Sequence, residues 1–595
     1  MRFAPLFLAA LCALVLFSGL GRVGFMDWRE ARGALVAREL VARREALTPL
    51  LSTQPWFEKP MAGYALDVLA EWRHPGSPST SRILRAIAAI ALLLLTASIG
   101  AQHLGARAGW IAAGVLGSSI AFPLAARTDG TQVLATLFGW AGCAGFADAL
   151  FGRRGGREAR LLVAYGGLAA ALLCGGLLPA LWPFAGAALY ARLARRPGGL
   201  RGLRIVPGLA LMLGIALPWY GAMIDRHGAD FVAHAIFFPY AIGPRAPWLA
   251  GLALPVSFLV VGFFPWSAAL PGAMAHAAIW WRTLRQALPG APALRPSDLG
   301  FDPSSRELRE ESVSHFFLAC LVAALIPMVL YPGPPLPAVL PALPAAALLC
   351  ARFLDHLFED AERVAALLTR SVVLLGLTGG AGAVLIALAA PRLSGGTAAL
   401  DMLAALLLVT SWAPFLANFI GRRRLAAALM TLPVALGTPA VTLRLLPAME
   451  SYVSTRGVAE ATDAILPPLA PLVLVEPPPP TLRLYARRNL VLADSLAEAL
   501  GEWRAEDGRT YVAFRPGRER DVARASPVPL EILLRTPMIV LARCVVPPPV
   551  SVNHDPPAPR DGTSSARRRS TPGQSSGRAC RPSPTGRRSC AARGG

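Results

Sequence analysis

Residues 83–154 read ILRAIAAIALLLLTASIGAQHLGARAGWIAAGVLGSSIAFPLAARTDGTQVLATLFGWAGCAGFADALFGRR. Three apolar blocks, at 83–101, 108–126 and 131–151, are separated by short connections that hold most of the charge. A helix needs about 20 predominantly apolar residues to cross a hydrocarbon core of about 30 Å. The stretch therefore predicts consecutive membrane-spanning helices.

The same alternation of apolar blocks and Arg-rich connections extends over residues 1–446. It predicts about thirteen spans, at 4–20, 83–101, 108–126, 131–151, 160–177, 178–193, 203–222, 250–270, 315–331, 336–353, 370–390, 397–419 and 424–446. The alternative for the first segment is a cleaved signal peptide. We favour an uncleaved anchor, since no clear small-residue cleavage site precedes the charged stretch that follows. The predicted fold class is an all-α polytopic membrane protein with a small α/β domain near its C-terminus.

The overall composition agrees with this class. Hydrophobic residues make up 54% of the chain and charged residues 16%, against about a quarter in soluble domains. The net charge is +22, but the arginines lie between apolar blocks and in the tail, without a basic face interleaved with aromatics. This distribution argues against nucleic acid as a partner. The eight cysteines show no metal-ligand spacing, and they predict neither a zinc site nor a disulfide framework.

The Arg-rich connections predict the orientation of the chain. They follow the fourth, sixth, tenth and twelfth spans, so they all have the same parity. The positive-inside rule makes them cytoplasmic. The N-terminus is then inside, and the long first loop, residues 21–82, lies outside together with residues 447–546.

Residues 447–546 have the composition of a small α/β domain. Helix-like stretches at 452–466, 494–504 and 529–535 alternate with strand-like runs at Leu482–Tyr485, Tyr511–Phe514 and Met538–Leu541. The tail, residues 547–595, consists mainly of Pro, Ser, Gly and Arg and is predicted to be disordered.

The first loop is rich in patterned charge. From Asp27 it predicts an amphipathic helix along the membrane surface, which ends at Thr48-Pro49. A second juxtamembrane helix should begin at Pro60, because proline suits the first helical position. The only lysine among the 58 basic residues, Lys59, then stands at a helix N-terminus, which favours an anion such as a lipid phosphate. The alternative is a solvated surface cation.

At these residues the chain resembles bacterial membrane glycosyltransferases of the aminoarabinose-transferase and protein-mannosyltransferase type (GT-C). Those enzymes pass a sugar from a polyprenyl phosphate to lipid A or another acceptor at the periplasmic face of the inner membrane. The matching motifs are Glu30-Ala31-Arg32, Ala37-Arg38-Glu39, Phe57-Glu58-Lys59-Pro60, Arg127-Thr128-Asp129, Pro218-Trp219-Tyr220, Gly262-Phe263-Phe264-Pro265-Trp266-Ser267 and Leu340-Pro341-Ala342-Leu343-Pro344. They run in family order, and the spans followed by an α/β domain are the family layout.

The resemblance implies roles for several of these residues. Lys59 and Arg32 look like the cations that grip the donor phosphate, and Glu58 looks like a carboxylate that can approach a divalent metal ion. No other cofactor is implied. The implied partners are a polyprenyl-phosphate-linked sugar donor, a lipid, glycan or protein acceptor, and membrane lipids. The implied location is the bacterial inner membrane, with the first loop and residues 447–546 in the periplasm.

Three acids are candidate catalytic residues. Asp129 looks like an acid that faces the sugar, with capping of the next helix as the alternative. Asp27 and Glu30 have the spacing of a capping box, so capping and catalysis both remain open for them. The family's catalytic aspartate falls on Arg29, and Asp27 is its nearest replacement.

Further departures from the family pattern concern single positions. Gly175 stands where the family has a lysine, and Ala338 stands where it has a tyrosine that helps to hold the phosphate. The loop after Phe237-Phe238 lacks the histidine that is often found there.

The chemistry implied is an inverting displacement. A carboxylate would deprotonate the acceptor, which attacks the anomeric carbon opposite the lipid phosphate, while Lys59 and Arg32 stabilise the departing charge. A protein that binds or flips polyprenyl-linked sugars without transfer is the alternative, and Arg29 favours it. A transporter is less consistent with the sequence, because charged residues are nearly absent from the span interiors.

Overall fold

The computed structural model describes residues 4–26, 29–152, 156–194, 200, 202–237, 248–277, 305–330, 336–359, 361–392, 397–468, 470–493, 509–526 and 529–545. The predictions for the tail, for 494–504 and for Asp27 concern residues outside these ranges. The described part of the chain is mostly helical. The α-helices are α1 Ala4–Leu16, α2 Arg29–Arg43, α3 Ala65–Arg73, α4 Pro78–His103, α5 Ala106–Gly117, α6 Ala121–Thr128, α7 Gly130–Phe151, α8 Arg157–Gly175, α9 Leu177–Leu193, α10 Ile205–Phe231, α11 Trp248–Gly262, α12 Ser305–Leu330, α13 Leu343–Glu359, α14 Ala361–Ala389, α15 Thr397–Phe419, α16 Arg423–Leu429, α17 Leu432–Ala440, α18 Leu446–Ala448, α19 Glu450–Val453, α20 Arg456–Ile465, α21 Pro480–Tyr485 and α22 Glu519–Ala525.

The predicted fold class is confirmed, with a lower number of clear spans. Nine helices in the described part are long and apolar enough to cross a membrane. The number rises to eleven if each of two bent helix pairs is one span, namely α5 with α6 (64°) and Ala253–Gly262 with Trp266–Ala277 (118°). Two more apolar helices, α1 and α9, are shorter. Each of the thirteen predicted segments is therefore helical, but not each is long enough to span alone.

Close packing of small residues joins the helices of the bundle. At the contact of α4 and α5, a Cβ added to Gly100 would lie 2.7 Å from the Cα of Gly109. A Cβ added to Gly109 would lie 2.4 Å from the carbonyl oxygen of Ala97. Only glycine permits this approach, as is common between helices in membranes.

A small hairpin in the first loop pairs β1 Leu50–Leu51 with β2 Gln54–Pro55. Residues after 470 form a five-stranded mixed sheet. Its strands are β3 Leu472–Leu474, β4 Leu490–Leu492, β5 Arg509–Phe514, β6 Leu530–Arg535 and β7 Val540–Val545. The strand order is β4-β3-β5-β7-β6. β3 is parallel to β4 and β5, and β7 is antiparallel to β5 and β6.

Two predicted elements of this region were wrong. The run Leu482–Tyr485 is helical, because Pro480 occupies the first helical position of α21 and fixes its backbone there. The stretch 529–535 is not a helix but the edge strand β6, where Glu531 lies opposite Arg543 and pairs with it at 2.5 Å. The helix at 452–466 is present with a break, the strand at Tyr511–Phe514 is confirmed, and the strand predicted from Met538 begins at Val540.

The first loop packs on protein. The apolar face of α2 contributes Ala31, Ala34 and Leu35 to a buried cluster with Leu484 of α21. Arg38 of α2 donates to the carbonyl oxygen of Leu484 at 2.7 Å. The amphipathic pattern that predicted a membrane-surface helix is thus explained by contacts within the chain. α2 also ends at Arg43, earlier than the predicted stop.

The orientation predicted from the arginines can be tested with two single cysteines. Glu460 on α20 and Glu362 on α14 are both exposed, whereas the native Cys544 is buried. In a chain with Cys580 and Cys590 changed to serine, we expect a membrane-impermeant maleimide to label Glu460→Cys in spheroplasts. Glu362→Cys should react only after the membrane is permeabilised. The reverse pattern would overturn the orientation.

Candidate active site

A small charged pocket lies where the first loop meets the starts of α4 and α7. Its side chains leave about 20 Å³ of free space, because they pair with one another. The lining residues are Arg29, Arg32, Gly33, Glu58, Lys59, Tyr64, Asp67, Arg85, Thr128, Asp129, Gly130 and Thr131. Four residues predicted for the site, Arg32, Glu58, Lys59 and Asp129, are thereby brought together.

Asp129 is the centre of the pocket. Its carboxylate accepts from Lys59 Nζ at 3.0 and 3.3 Å and from Arg29 Nη1 at 2.9 Å. It also accepts from the backbone N–H of Gln132 at 3.0 Å as the N-cap of α7, so the capping interpretation is confirmed. Burial alone would raise the pKa of Asp129, but the charges of Lys59 and Arg29 and these hydrogen bonds hold it well below its usual range. The carboxylate is ionised at neutral pH.

Lys59 is not a solvated surface cation. Its side chain is only 17% exposed and contacts Asp129. Pro60 follows it as the N-cap of a short 3-10 helix, Met61–Tyr64, which leads into α3. The predicted helix start is therefore correct to within one residue, although its first turn is 3-10. A Cβ on Gly63 would lie 2.3 Å from the carbonyl oxygen of Cys174, so glycine allows this turn to pack against the end of α8.

Arg32 and Glu58 form a second ion pair at 3.1 Å, and both side chains are about a quarter exposed. The Arg32 guanidinium also lies over the ring of Trp56, 5.6 Å from its centroid. Within the described part of the chain, Glu58 belongs to no group of three potential metal ligands. The metal role suggested for Glu58 therefore stays a prediction.

Glu30 does not line the pocket. It is 1% exposed, and its carboxylate accepts from the Met26 N–H at 2.8 Å, the backward reach expected of a capping glutamate. It also pairs with Arg82 at 2.8 Å and with Arg85 at 3.3 Å. The structure thus gives Glu30 a structural position. Asp27, its predicted companion, lies outside the described residues.

The sequence reasoning missed the buried cations that hold the loop in place. Arg85 is fully buried and donates to Asp67 at 2.5 Å and to the carbonyl oxygen of Arg127 at 2.9 Å. Arg82 donates to the carbonyl oxygens of Leu20, Val23 and Gly24. The signal was available, since two arginines three residues apart on one helix face open the apolar span 83–101.

The positions at which the sequence departs from the resembled enzymes lie in different parts of the structure. Arg29 reaches into the pocket, which Arg32, Lys59 and Arg85 also line. Gly175 ends α8 next to Cys174, whose Sγ lies 3.8 Å from the carbonyl oxygen of Ala62. Ala338 lies in the 3-10 helix Leu336–Ala342. The loop that follows Phe237 is outside the described residues.

An apolar groove adjoins the pocket. Its volume is about 530 Å³, and its lining residues are Met61, Ala62, Ala65, Val68, Leu69, Trp72, Leu173 and Trp219. Leu69 and Trp72 are 46% and 70% exposed. Pocket and groove lie on two sides of the same short helix, Met61–Tyr64, since Tyr64 lines the pocket and Met61 lines the groove.

The fold is similar to that of ArnT from Cupriavidus metallidurans. The crystal structure of that protein bound to undecaprenyl phosphate superposes with a TM-score of 0.70 at 16% sequence identity, covering 91% of this chain and 97% of that one. Its apo-state structure gives the same values. No protein-family model and no curated protein matches the sequence. The similarity to the ArnT structures shows a shared polytopic fold.

The buried role of Glu30 predicts a large stability effect. In Glu30→Gln the partner cations stay buried with one carboxylate fewer, which typically costs about 3–5 kcal/mol. We expect a clearly lower thermal midpoint in detergent. Glu362→Gln removes an exposed pair with Arg423 and should shift the midpoint far less, because water screens exposed ion pairs. Equal midpoints for the two variants would contradict the buried role.

Proposed function

We propose that the chain is an inner-membrane glycosyltransferase that moves a sugar from a polyprenyl-phosphate donor to an acceptor at the periplasmic face. The observation that carries the proposal is the charged pocket beside an apolar groove, with one short helix between them. A polyprenyl phosphate has the same two parts, an anionic head and a long apolar chain. The fold shared with a protein crystallised with undecaprenyl phosphate supports the same substrate class.

The cations of the pocket suit the donor phosphate. Arg29, Arg32 and Lys59 are each partly exposed, at 25%, 27% and 17% of the side chain, so a phosphate entering from the groove can reach them. Their present partners, Asp129 and Glu58, are carboxylates for which the phosphate would compete. Donor binding in this proposal therefore exchanges ion pairs instead of filling an open cavity.

That exchange of ion pairs would also make Asp129 a stronger base. With two cations beside it, Asp129 holds a proton poorly, because its pKa is depressed. If the phosphate draws Lys59 away, the pKa of Asp129 rises and its carboxylate can accept the acceptor's proton. The acceptor oxygen then forms a bond to the anomeric carbon while the bond from that carbon to the phosphate oxygen breaks. Lys59 and Arg32 stabilise the charge left on the phosphate.

A second candidate is a protein that binds or flips the lipid-linked sugar without transfer. It is favoured by Arg29, which stands at the family's aspartate position, and by the pairing of each described pocket carboxylate with a cation. A lipid A-like, glycan or protein acceptor belongs to the transferase proposal only. A metal role for Glu58 stays a prediction, and no step of the mechanism uses it.

Lys59 provides the test of the transferase. A charge-assisted contact to phosphate contributes roughly 1.5–3 kcal/mol, so Lys59→Ala should lose roughly ten- to hundredfold in transfer. Lys59→Arg should be intermediate, because the planar guanidinium does not fit the space of an ammonium group between Asp129 and the short helix. The measurement is transfer from a radiolabelled polyprenyl-phosphate sugar in membranes at matched protein levels.

Arg43→Ala is the matched control, since it removes an exposed cation from the last turn of α2. It should transfer at the wild-type rate. Wild-type transfer by Lys59→Ala would remove the donor-phosphate site from this loop. If the wild-type chain binds the labelled donor but transfers nothing to extracted acceptors, the binding or flipping candidate replaces the transferase.

A further inference from the structure

Three buried side chains with metal-binding atoms converge at a place that the proposed reaction does not use. His276 on the segment Trp266–Ala277, Glu311 on α12 and His356 on α13 are 8%, 0% and 1% exposed. Their ligand atoms all lie within 4.8 Å of one another. Each residue comes from a different helix, so the group joins three parts of the bundle.

The distances fit a tetrahedral ion. Zinc bonds of about 2.0–2.2 Å place two ligand atoms roughly 3.4 Å apart. The Nε2 atom of His276 lies 3.5 Å from Oε1 of Glu311, and Nε2 of His356 lies 4.0 Å from the same oxygen. A small side-chain movement therefore brings all three into coordination. Two histidines and a carboxylate are a ligand set that zinc uses in proteins.

The polar atoms of the group need a further partner. Nε2 of His276 and Oε2 of Glu311 are buried, and neither has a hydrogen-bond partner among the described residues. Nearly all buried polar atoms in proteins have such a partner. A cation between the two side chains would satisfy both atoms.

The surroundings orient the histidine and supply negative charge. Nδ1 of His356 lies 3.1 Å from the Glu359 carboxylate. Donation from that nitrogen leaves the Nε2 lone pair for a metal, as in many carboxylate–histidine–metal arrangements. Ion pairs connect Glu311 and its neighbours into a network of two guanidinium groups and four carboxylates. The net charge of this network is −2 when the histidines are neutral. These groups are Arg107, Arg352, Glu310, Glu311, Asp355 and Glu359.

The group lies far from the pocket. Arg85 lines the pocket, and α4 continues from it to His103 at a rise of about 1.5 Å per residue, a distance of roughly 27 Å. Arg107, in the first turn of α5, which follows α4 after two residues, contacts Asp355 and Glu359 of α13. The histidine group therefore belongs to the opposite end of the bundle, and its case is independent of the proposed transferase.

We propose that His276, Glu311 and His356 bind a structural zinc ion that fastens three helices at the end of the bundle remote from the pocket. A fourth coordination position is left for water. Arg352, which donates to Glu311 at 3.0 Å, would share that carboxylate with the metal. The ion has a structural role, because it fixes the three helices relative to one another. It takes no part in chemistry at the pocket.

The test is the metal content of the purified full chain by plasma mass spectrometry, without added metal or chelator. We expect about one zinc per chain in the wild type, and at least a fivefold loss in His276→Asn and in His356→Asn. Size-exclusion profiles exclude misfolded preparations. Chelation should lower the thermal midpoint of the wild type, zinc should restore it, and neither should shift the midpoint of His276→Asn.

Two controls make the result specific. His103→Asn changes another buried histidine, 3.0 Å from Asp148, that belongs to no group of three potential metal ligands among the described residues. Glu58→Gln changes the pocket. Both should keep their zinc. The proposal is overturned if the wild type holds no stoichiometric metal after incubation with zinc chloride and desalting. It is also overturned if the two histidine variants keep the metal, which would leave a protonated histidine paired with Glu311 as the explanation.

Discussion

The ion pairs of Arg82 and Arg85 with Glu30 and Asp67 hold the first loop against α4. Removing such charges from water costs several kcal/mol per ion, so each persists only with a partner of opposite sign. Because both arginines belong to the rigid start of a membrane helix, their partners on α2 and α3 are fixed to it. The charged pocket lies next to these ion pairs, and its geometry depends on them.

The same ion pairs explain how one short helix separates the charged pocket from the apolar groove. Met61–Tyr64 follows Lys59 and leads directly into α3, where Asp67 is tied to Arg85. One side of the turn therefore meets Asp129 and the pocket, and the other meets the apolar side chains of Leu173 and Trp219. An amphiphile that spans both sides needs no enclosed cavity, because its chain can stay in contact with the lipid phase.

Much of this arrangement could be predicted from the sequence, because periodicity and charge are local signals. The apolar segments are helical as expected, and Lys59, Arg32, Glu58 and Asp129 do meet. The identity of their partners was not predictable, since Arg29 and Asp129 are a hundred residues apart. The sequence predicts a helix at 529–535 where the structure has the edge strand Leu530–Arg535, because pairing with Val540–Val545 is a tertiary contact that local periodicity does not reveal. Glu30 was ambiguous for the same reason: only its buried arginines distinguish a structural acid from a catalytic one.

A structure of the full chain in nanodiscs with a non-hydrolysable polyprenyl-phosphate sugar tests the central claim most directly. The phosphate should lie within hydrogen-bond distance of Lys59 and Arg32, with Lys59 moved away from Asp129. The first isoprene units should lie along Leu69, Trp72 and Trp219, across the short helix from the sugar. A phosphate bound elsewhere, with the Lys59–Asp129 pair still intact, would contradict the account.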